Sequence, residues 1–300
     1  MKKFVLKVLL FFACVVMMDF AFDQFFSYLR THAKGGSTAN CEYIANKCQD
    51  DIIILGSSRA THHYVPQIIE DSLGVTCYNC GEEGNGVVLA YGRLKMLTNR
   101  YKPKLVIYDI TPEFDYGTKD QNKKYLGFLR PYYEKEGVDD IFRDFDDDYY
   151  WLKMKSKMYQ NTSRLLPNLI DNILYRDNNK GFAPLSGKLI VPIINRDERS
   201  LFDIDSLKLS YMQKVIEICQ NDNIPLVLIM SPWFNYGNSL VAFEPVFHLC
   251  ESYSIPVINC INEPTTCHNP DLFQDISHLN SRGASVFTKS IIPVLKEMLY

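Results

Sequence analysis

The chain reads as an α/β protein built on a parallel sheet, and three observations carry that reading. Short apolar runs recur along it and end on turn signals: 52–55 runs into Gly56-Ser57-Ser58, 75–79 stops before Gly81, and 105–110 leads to Thr111-Pro112. Runs of this length and composition fit strands covered on both faces, as in parallel sheets. Between them lie stretches of helical periodicity, so strands and helices alternate as βαβ units require. Finally, 300 residues with 47% hydrophobic and 13% aromatic content suffice for one sizeable core or a core plus an inserted lobe.

Before the first strand lies an address. Lys2, Lys3 and Lys7 precede an unbroken apolar run over 8–18; with 4–6 and 20–22 it approaches the roughly 17–25 residues of a spanning helix, interrupted by Lys7 and Asp19. The positive start orients the N-terminus to the cytoplasm and the rest of the chain outside. No small-x-small cleavage site follows, so 1–29 is expected to be an uncleaved signal anchor; Ala13-Cys14 only faintly resembles a lipoprotein processing site, because apolar residues continue beyond it. Gly35-Gly36-Ser37-Thr38 gives 30–50 the composition of a linker and lead-in, leaving 51–300 for the α/β domain.

Of nine cysteines, Cys14 falls in the apolar segment; in an oxidising compartment Cys41 with Cys48, and Cys260 with Cys267, are sequence-local pairs that could close small loops. Cys77-Tyr-Asn-Cys80 has redox or zinc spacing but lacks a second C-x-x-C or a histidine pair, so strand-end packing is expected there and neither metal nor cofactor is called for.

The remaining elements follow in order. Pro66 at a first turn and Gly74 as a C-terminal cap bound a short helix. Val87, Val88, Tyr91, Leu94 and Leu97 give a crossover helix over 84–100. Residues 116–205 break the rhythm: rich in tyrosine and aspartate, they read as a largely helical insertion at the active rim, with one strand over 189–194. The aspartates at 144 to 148 lack the glycine and glutamate of an EF-hand. Strands over 224–230 and 255–260 resume the pattern, joined by helices starting near 207 and 239. Asn280 or Ser281 caps a last helix bent at Pro293. The expected architecture is a flavodoxin-like three-layer sandwich with a five-stranded parallel sheet, the helical insertion and the N-terminal membrane anchor. Right-handed crossovers bring Ser58, Gly81 and Asp109 to one rim.

At that rim Ser58 is the candidate nucleophile, with Ser57 its competitor. Asp275 and His278, three positions apart before the last helix, supply the base and orienter that a serine hydroxyl needs. His62 and His63 are rival bases by proximity, but no carboxylate lies at a matching short spacing, so they read as surface or substrate-contact residues. Arg59, Asn85, Asp109 and Thr111 are further candidates for substrate contact.

Gly56-Ser57-Ser58 after a first strand, Tyr78-Asn79-Cys80-Gly81 after a second and Asp275-x-x-His278 before the last helix together resemble the SGNH, or GDSL-type, hydrolase superfamily. The resemblance covers the sheet-forming parts and not 116–205. It implies a Ser58-His278-Asp275 triad and an oxyanion hole using the N–H groups of Ser58 and Gly81. The family's third donor, an asparagine after strand three, has no counterpart in Tyr108-Asp-Ile-Thr-Pro-Glu-Phe-Asp115; Asn85 and Thr111 are the substitutes within reach. Two function classes follow. One is a membrane-tethered, extracytoplasmic esterase acting on ester groups, O-acetyl above all, of exported carbohydrate or another small ester, with O-acetyl transfer as its variant. The other is a non-catalytic glycan-binding or assembly protein using the same crevice. A net charge of −3 and a pI near 6.1 offer no basic footprint for nucleic acid.

Overall fold

A computed structural model describes residues 1–117, 122–146, 148–174, 178–190, 203–237 and 239–300. The chain forms two compact units, residues 1–46 with 122–177 and residues 47–121 with 178–300. In chain order the helices begin with α1 (Lys2–Thr31), α2 (Gly36–Asn46), α3 (Ser58–His63), α4 (Pro66–Leu73), α5 (Val87–Thr98) and α6 (Pro112–Asp115). They continue with α7 (Asn122–Leu129), α8 (Asp139–Phe145), α9 (Tyr150–Lys153), α10 (Lys157–Thr162) and α11 (Leu165–Ile173). The last three are α12 (Ser206–Asn221), α13 (Glu244–Tyr253) and α14 (Ser281–Leu299).

The larger unit holds a five-stranded parallel sheet of order β2-β1-β3-β4-β5, with β1 Ile52–Gly56, β2 Cys77–Asn79, β3 Leu105–Asp109, β4 Leu226–Met230 and β5 Val257–Asn259. This is the flavodoxin-like order, with its switch between β1 and β3. Every residue of β1, β3 and β4 is buried, which is why these strands read as continuous apolar runs. Ile52, Ile54, Ile107, Val227 and Ile229 pack with Tyr64 and Ile69 and with Phe287, Ile291 and Leu295 of α14 in one core cluster. Gly74 takes the left-handed conformation at the α4 C-cap (φ 71°), and Asn280 caps α14 by accepting from the Gly283 N–H at 3.0 Å. The cap of α12, unread in the sequence, is Asp205, which accepts from the N–H groups of Leu207 and Lys208.

The smaller unit is helical. Its α1 is long and apolar enough to cross a membrane. The stretch with linker composition contains α2, whose start is tied to α11 by the Thr38 N–H donating to Asp171 Oδ2 at 2.9 Å. The insertion expected over 116–205 is divided: 122–177 belong to the helical unit, whereas 178–190 belong to the sheet unit, where the Ala183 N–H donates to the Thr61 carbonyl at 3.0 Å. Leu189 is not in a strand; its N–H donates to Phe273 O at 2.8 Å, and the rest of the strand expected over 189–194 falls, from 191 on, outside the described residues. All nine cysteines are free thiols; that of Cys48 donates to Asp50 Oδ2 at 3.2 Å and interacts with the thiol of Cys80.

Candidate functional site

The site forms where β1 gives way to α3. Gly56 adopts φ +139°, and a Cβ there would stand 2.6 Å from the Asp109 carbonyl, so only glycine lets β1 turn beside β3. The turn places Ser58 at the start of α3, partly open to solvent. Its Oγ lies 2.7 Å from His278 Nε2.

His278 is delivered by a tight turn that begins at Asp275. One carboxylate oxygen, Oδ1, accepts from the backbone N–H groups of Ser277 (2.8 Å) and His278 (3.0 Å) and from the Ser277 hydroxyl (3.0 Å). Both Asp275 oxygens face His278 Nδ1, at 3.0 and 2.9 Å. A proton on Nδ1 satisfies the carboxylate and leaves the Nε2 lone pair for the Ser58 hydroxyl. Burial pushes the Asp275 carboxyl up, but the bonds from His278 and Ser277 outweigh it and hold the group at about 2. The arrangement can therefore take a proton from Ser58 and steady the imidazolium that results.

The sequence candidates around this relay divide sharply. Ser57 is fully buried and shares a 2.7 Å hydrogen bond with Thr111, so it ties the β1 turn to the segment after β3 and is no rival nucleophile. Thr111 is likewise buried, its N–H donating to Asp115 Oδ2 at 2.7 Å. Arg59, only 1% exposed, points inward: its Nη2 donates to both the carbonyl and, at 2.9 Å, the Oγ of Ser231, and its Nε lies 3.8 Å from Asp109 Oδ1. Asp109 is fully buried and accepts from the Tyr64 hydroxyl at 2.5 Å; burial holds its carboxyl above the usual range despite Arg59. The expectation that Ser57, Arg59, Asp109 and Thr111 touch substrate is corrected accordingly: these side chains hold the rim together from beneath.

Gly81 departs from its expected part as well. Its N–H donates to Asn79 Oδ1 at 3.0 Å, so the second oxyanion donor is committed elsewhere. What demands glycine there is space, since a Cβ would stand 2.7 Å from the Thr61 nitrogen and 2.8 Å from Ala60 Cβ, both on α3. Asn85 is buried and donates from Nδ2 to the Glu83 carbonyl at 2.8 Å, which uses one of its two amide protons. The Ser58 N–H, by contrast, opens α3 and has no partner among the described hydrogen bonds.

His62 and His63 are buried, against the expectation that they lie at the surface. The Leu279 N–H donates to His63 Nε2 at 3.0 Å, which puts the ring proton on Nδ1, where it donates to Ser231 Oγ at 2.8 Å. Burial, with Arg59 nearby, holds this imidazole well below the usual range, so it is neutral. His63 thus pins the residue after His278 to the helix that starts at Ser58. His62 donates from Nδ1 to the Ala183 carbonyl at 2.6 Å, faces Glu83 from Nε2 at 3.1 Å and lies edge-on to the His278 ring at 5.5 Å. Arg93 was not singled out by the sequence, yet it donates to the carbonyls of Cys80 (2.7 Å) and Gly81 (3.1 Å) and to Glu82 (2.5 Å), bracing the loop after β2. Its one legible signal is a cation placed mid-helix on a crossover that faces the sheet.

A parallel α/β unit with a hydroxyl, an imidazole and a carboxylate in line at the carboxyl edge of its sheet defines the class to which the fold and site point. No family model matches the chain, and no curated protein does. Among solved structures it is similar to one described as an acylhydrolase from Bacteroides fragilis, at 11% identity and a TM-score of 0.42, covering 88% of this chain and 98% of the other. It is also similar to an acetyl xylan esterase (10% identity, TM-score 0.41, covering 81% and 99%) and to a two-domain esterase active on acetylated mannans (11%, 0.40, 83% and 48%).

Proposed function

We propose that the protein is an SGNH-type serine esterase whose triad is Ser58, His278 and Asp275. The supporting observation is the unbroken relay from Ser58 Oγ through His278 to the Asp275 carboxylate, with contacts of 2.7 and 2.9 Å. In the reaction, Ser58 Oγ attacks the ester carbonyl carbon as its proton passes to His278 Nε2. Collapse of the tetrahedral intermediate breaks the bond to the alcohol oxygen, which takes the proton from His278. Water then attacks the acyl-Ser58 ester by the same route in reverse, releasing the acid and restoring the hydroxyl. The growing oxyanion is met by the Ser58 N–H, and by that of Gly81 if the Asn79 amide gives way; one such donor typically contributes about 2.7–4 kcal/mol.

The substrate class we infer is an O-acetyl ester on carbohydrate outside the cytoplasm. Its support is the positively flanked apolar helix α1, which orients the rest of the chain outward. Transfer of the acyl group to a sugar hydroxyl would use the same first half-reaction. A second reading, glycan binding without turnover, is favoured by one observation, the engagement of the Gly81 N–H with Asn79. Acetate release from p-nitrophenyl acetate and from acetylated xylan separates the two: the esterase predicts turnover that Ser58→Ala removes. Inert protein that still retains acetylated glycan supports the second reading instead.

A further inference from the structure

Helix α11 is built inside out. Its buried side chains are polar: Asp171 accepts from the Thr38 N–H at 2.9 Å, and Asn168 accepts from the Thr38 hydroxyl at 3.0 Å. Its exposed side chains are apolar: Leu165, Leu166 and Ile173 face outward, Ile173 at 75% exposure, and Leu174 follows at 50%. With about 100° of turn per residue, Leu165, Leu166, Leu169 and Ile173 fall within an arc of roughly 100°, a continuous stripe. A helix at a water-facing surface carries the opposite arrangement.

The same unit contains α1, and the two features join. The 30 residues of α1 exceed the roughly 20 that cross a hydrocarbon core. The excess is at its C-terminal end, where two acids interrupt the apolar run and both turn into the unit. Asp19 accepts from the Ser156 hydroxyl (2.6 Å) and from the N–H groups of Lys157 (2.8 Å) and Met158 (2.9 Å); Asp23 accepts from Asn161 Nδ2 at 3.4 Å. With these charges satisfied internally, Phe20, Phe22, Phe25 and Tyr28 remain exposed on the other sides of α1. Beside the Asp19 contact, Met158 is exposed, and just before it in the chain so are Tyr149, Trp151 and Leu152. Aromatic rings with a polar edge concentrate at the boundary between headgroups and acyl chains.

We propose that the helical unit is seated in the bilayer rather than held off it, with the outer stripe of α11 and the Trp151 and Met158 region immersed in the interface of the leaflet from which α1 emerges. The occupant of this face is lipid, because the stripe belongs to the same unit as the spanning helix and continues its apolar surface. The inference rests on α1 being a membrane anchor.

The chain has two tryptophans, so Trp233→Phe leaves Trp151 as the sole reporter. The full-length variant would be reconstituted in phosphatidylcholine–phosphatidylglycerol vesicles with and without brominated acyl chains. Brominated lipid should dim Trp151, iodide in the buffer should quench it several-fold less than it quenches free tryptophan, and neither effect should vary with protein-to-lipid ratio. Adding Leu166→Glu and Ile173→Glu should weaken the dimming while the chain still floats with the vesicles. Trp151 open to iodide and undimmed in a chain that floats would overturn the seating and leave the anchor standing. A chain that does not float would overturn both. Shielding from iodide without bromine dimming, or shielding that grows with protein density, would assign the face to a second copy or another protein and overturn the lipid assignment.

Discussion

The sheet unit contains two serine–histidine–aspartate groupings that share one short helix, and they behave as opposites. At the rim, Ser58, His278 and Asp275 form a relay in which the imidazole has one nitrogen on a carboxylate and the other on a hydroxyl; His278 is 23% and Asp275 50% exposed at the side chain. Beneath it, Ser231, His63 and Asp109 have the same composition, but all three are buried at or near 0%. There the imidazole spends Nε2 on the Leu279 N–H and Nδ1 on Ser231, while Asp109 accepts from Tyr64. Residue types do not distinguish a reactive site from a structural one. A spare lone pair with a path to solvent does, and the electrostatics follow: the bonds around Asp275 hold it at about 2, whereas burial raises Asp109.

The sharpest way to break this comparison is to remove the hydroxyl from each grouping. Ser58→Ala should lower ester hydrolysis by about 10³-fold or more, and His278→Gln by about 10²–10⁴-fold, with folding intact. Ser231→Ala should change steady-state turnover by less than about tenfold, because that oxygen has no route to substrate. Comparable losses from Ser58 and Ser231 variants would erase the distinction.

Asp275→Asn comes next. It keeps the shape of the turn while weakening the orientation of Nδ1–H, and should cost about 10²–10⁴-fold in kcat with little change in KM. Smaller again is the effect of His63→Ala, which leaves the Leu279 N–H without its acceptor and should cost about 1–3 kcal/mol in urea-unfolding stability.

The smallest effects are in pH. Asp275 is depressed in the folded chain, so its contribution to stability is present above the unfolded value of about 3.9 and is lost as pH falls toward about 2; half-exposed, it is a minor one. Asp115 is the mirror case. Burial lifts it to about 7 although Tyr108 and the Thr111 N–H donate to it. The folded chain therefore holds a proton there that the unfolded chain releases near 4, and stability should decline as pH rises from about 4 to about 7. Asp115→Asn should flatten that decline in thermal melts.

Much of this was legible in the sequence because it is local. The strands of the central sheet announce themselves as apolar runs stopped by turn residues, and Gly74 and Asn280 carry their capping roles in their own conformations. The pair Asp275 and His278 is a three-residue turn, so its spacing already encodes its contact. The polar residues beside Ser58 were illegible for the converse reason. Arg59 and His63 are buried because Ser231, on a loop after β4, meets them from 172 and 168 positions away. The role of Gly81 is hidden similarly, since its close approach to Ala60 and Thr61 follows from how β2 docks on α3. The stretch at 36–46 has linker composition, yet it becomes a helix whose start is satisfied by Asp171, a partner no local reading supplies.

The central claim, that Ser58 alone among these buried and half-buried serines is a nucleophile, is tested most directly by treating the intact protein with a fluorophosphonate and mapping the adduct by peptide mass spectrometry. The relay predicts a single adduct on Ser58, absent in Ser58→Ala and retained in Ser231→Ala. An adduct on Ser57 or Ser231, or labelling that survives Ser58→Ala, would contradict it.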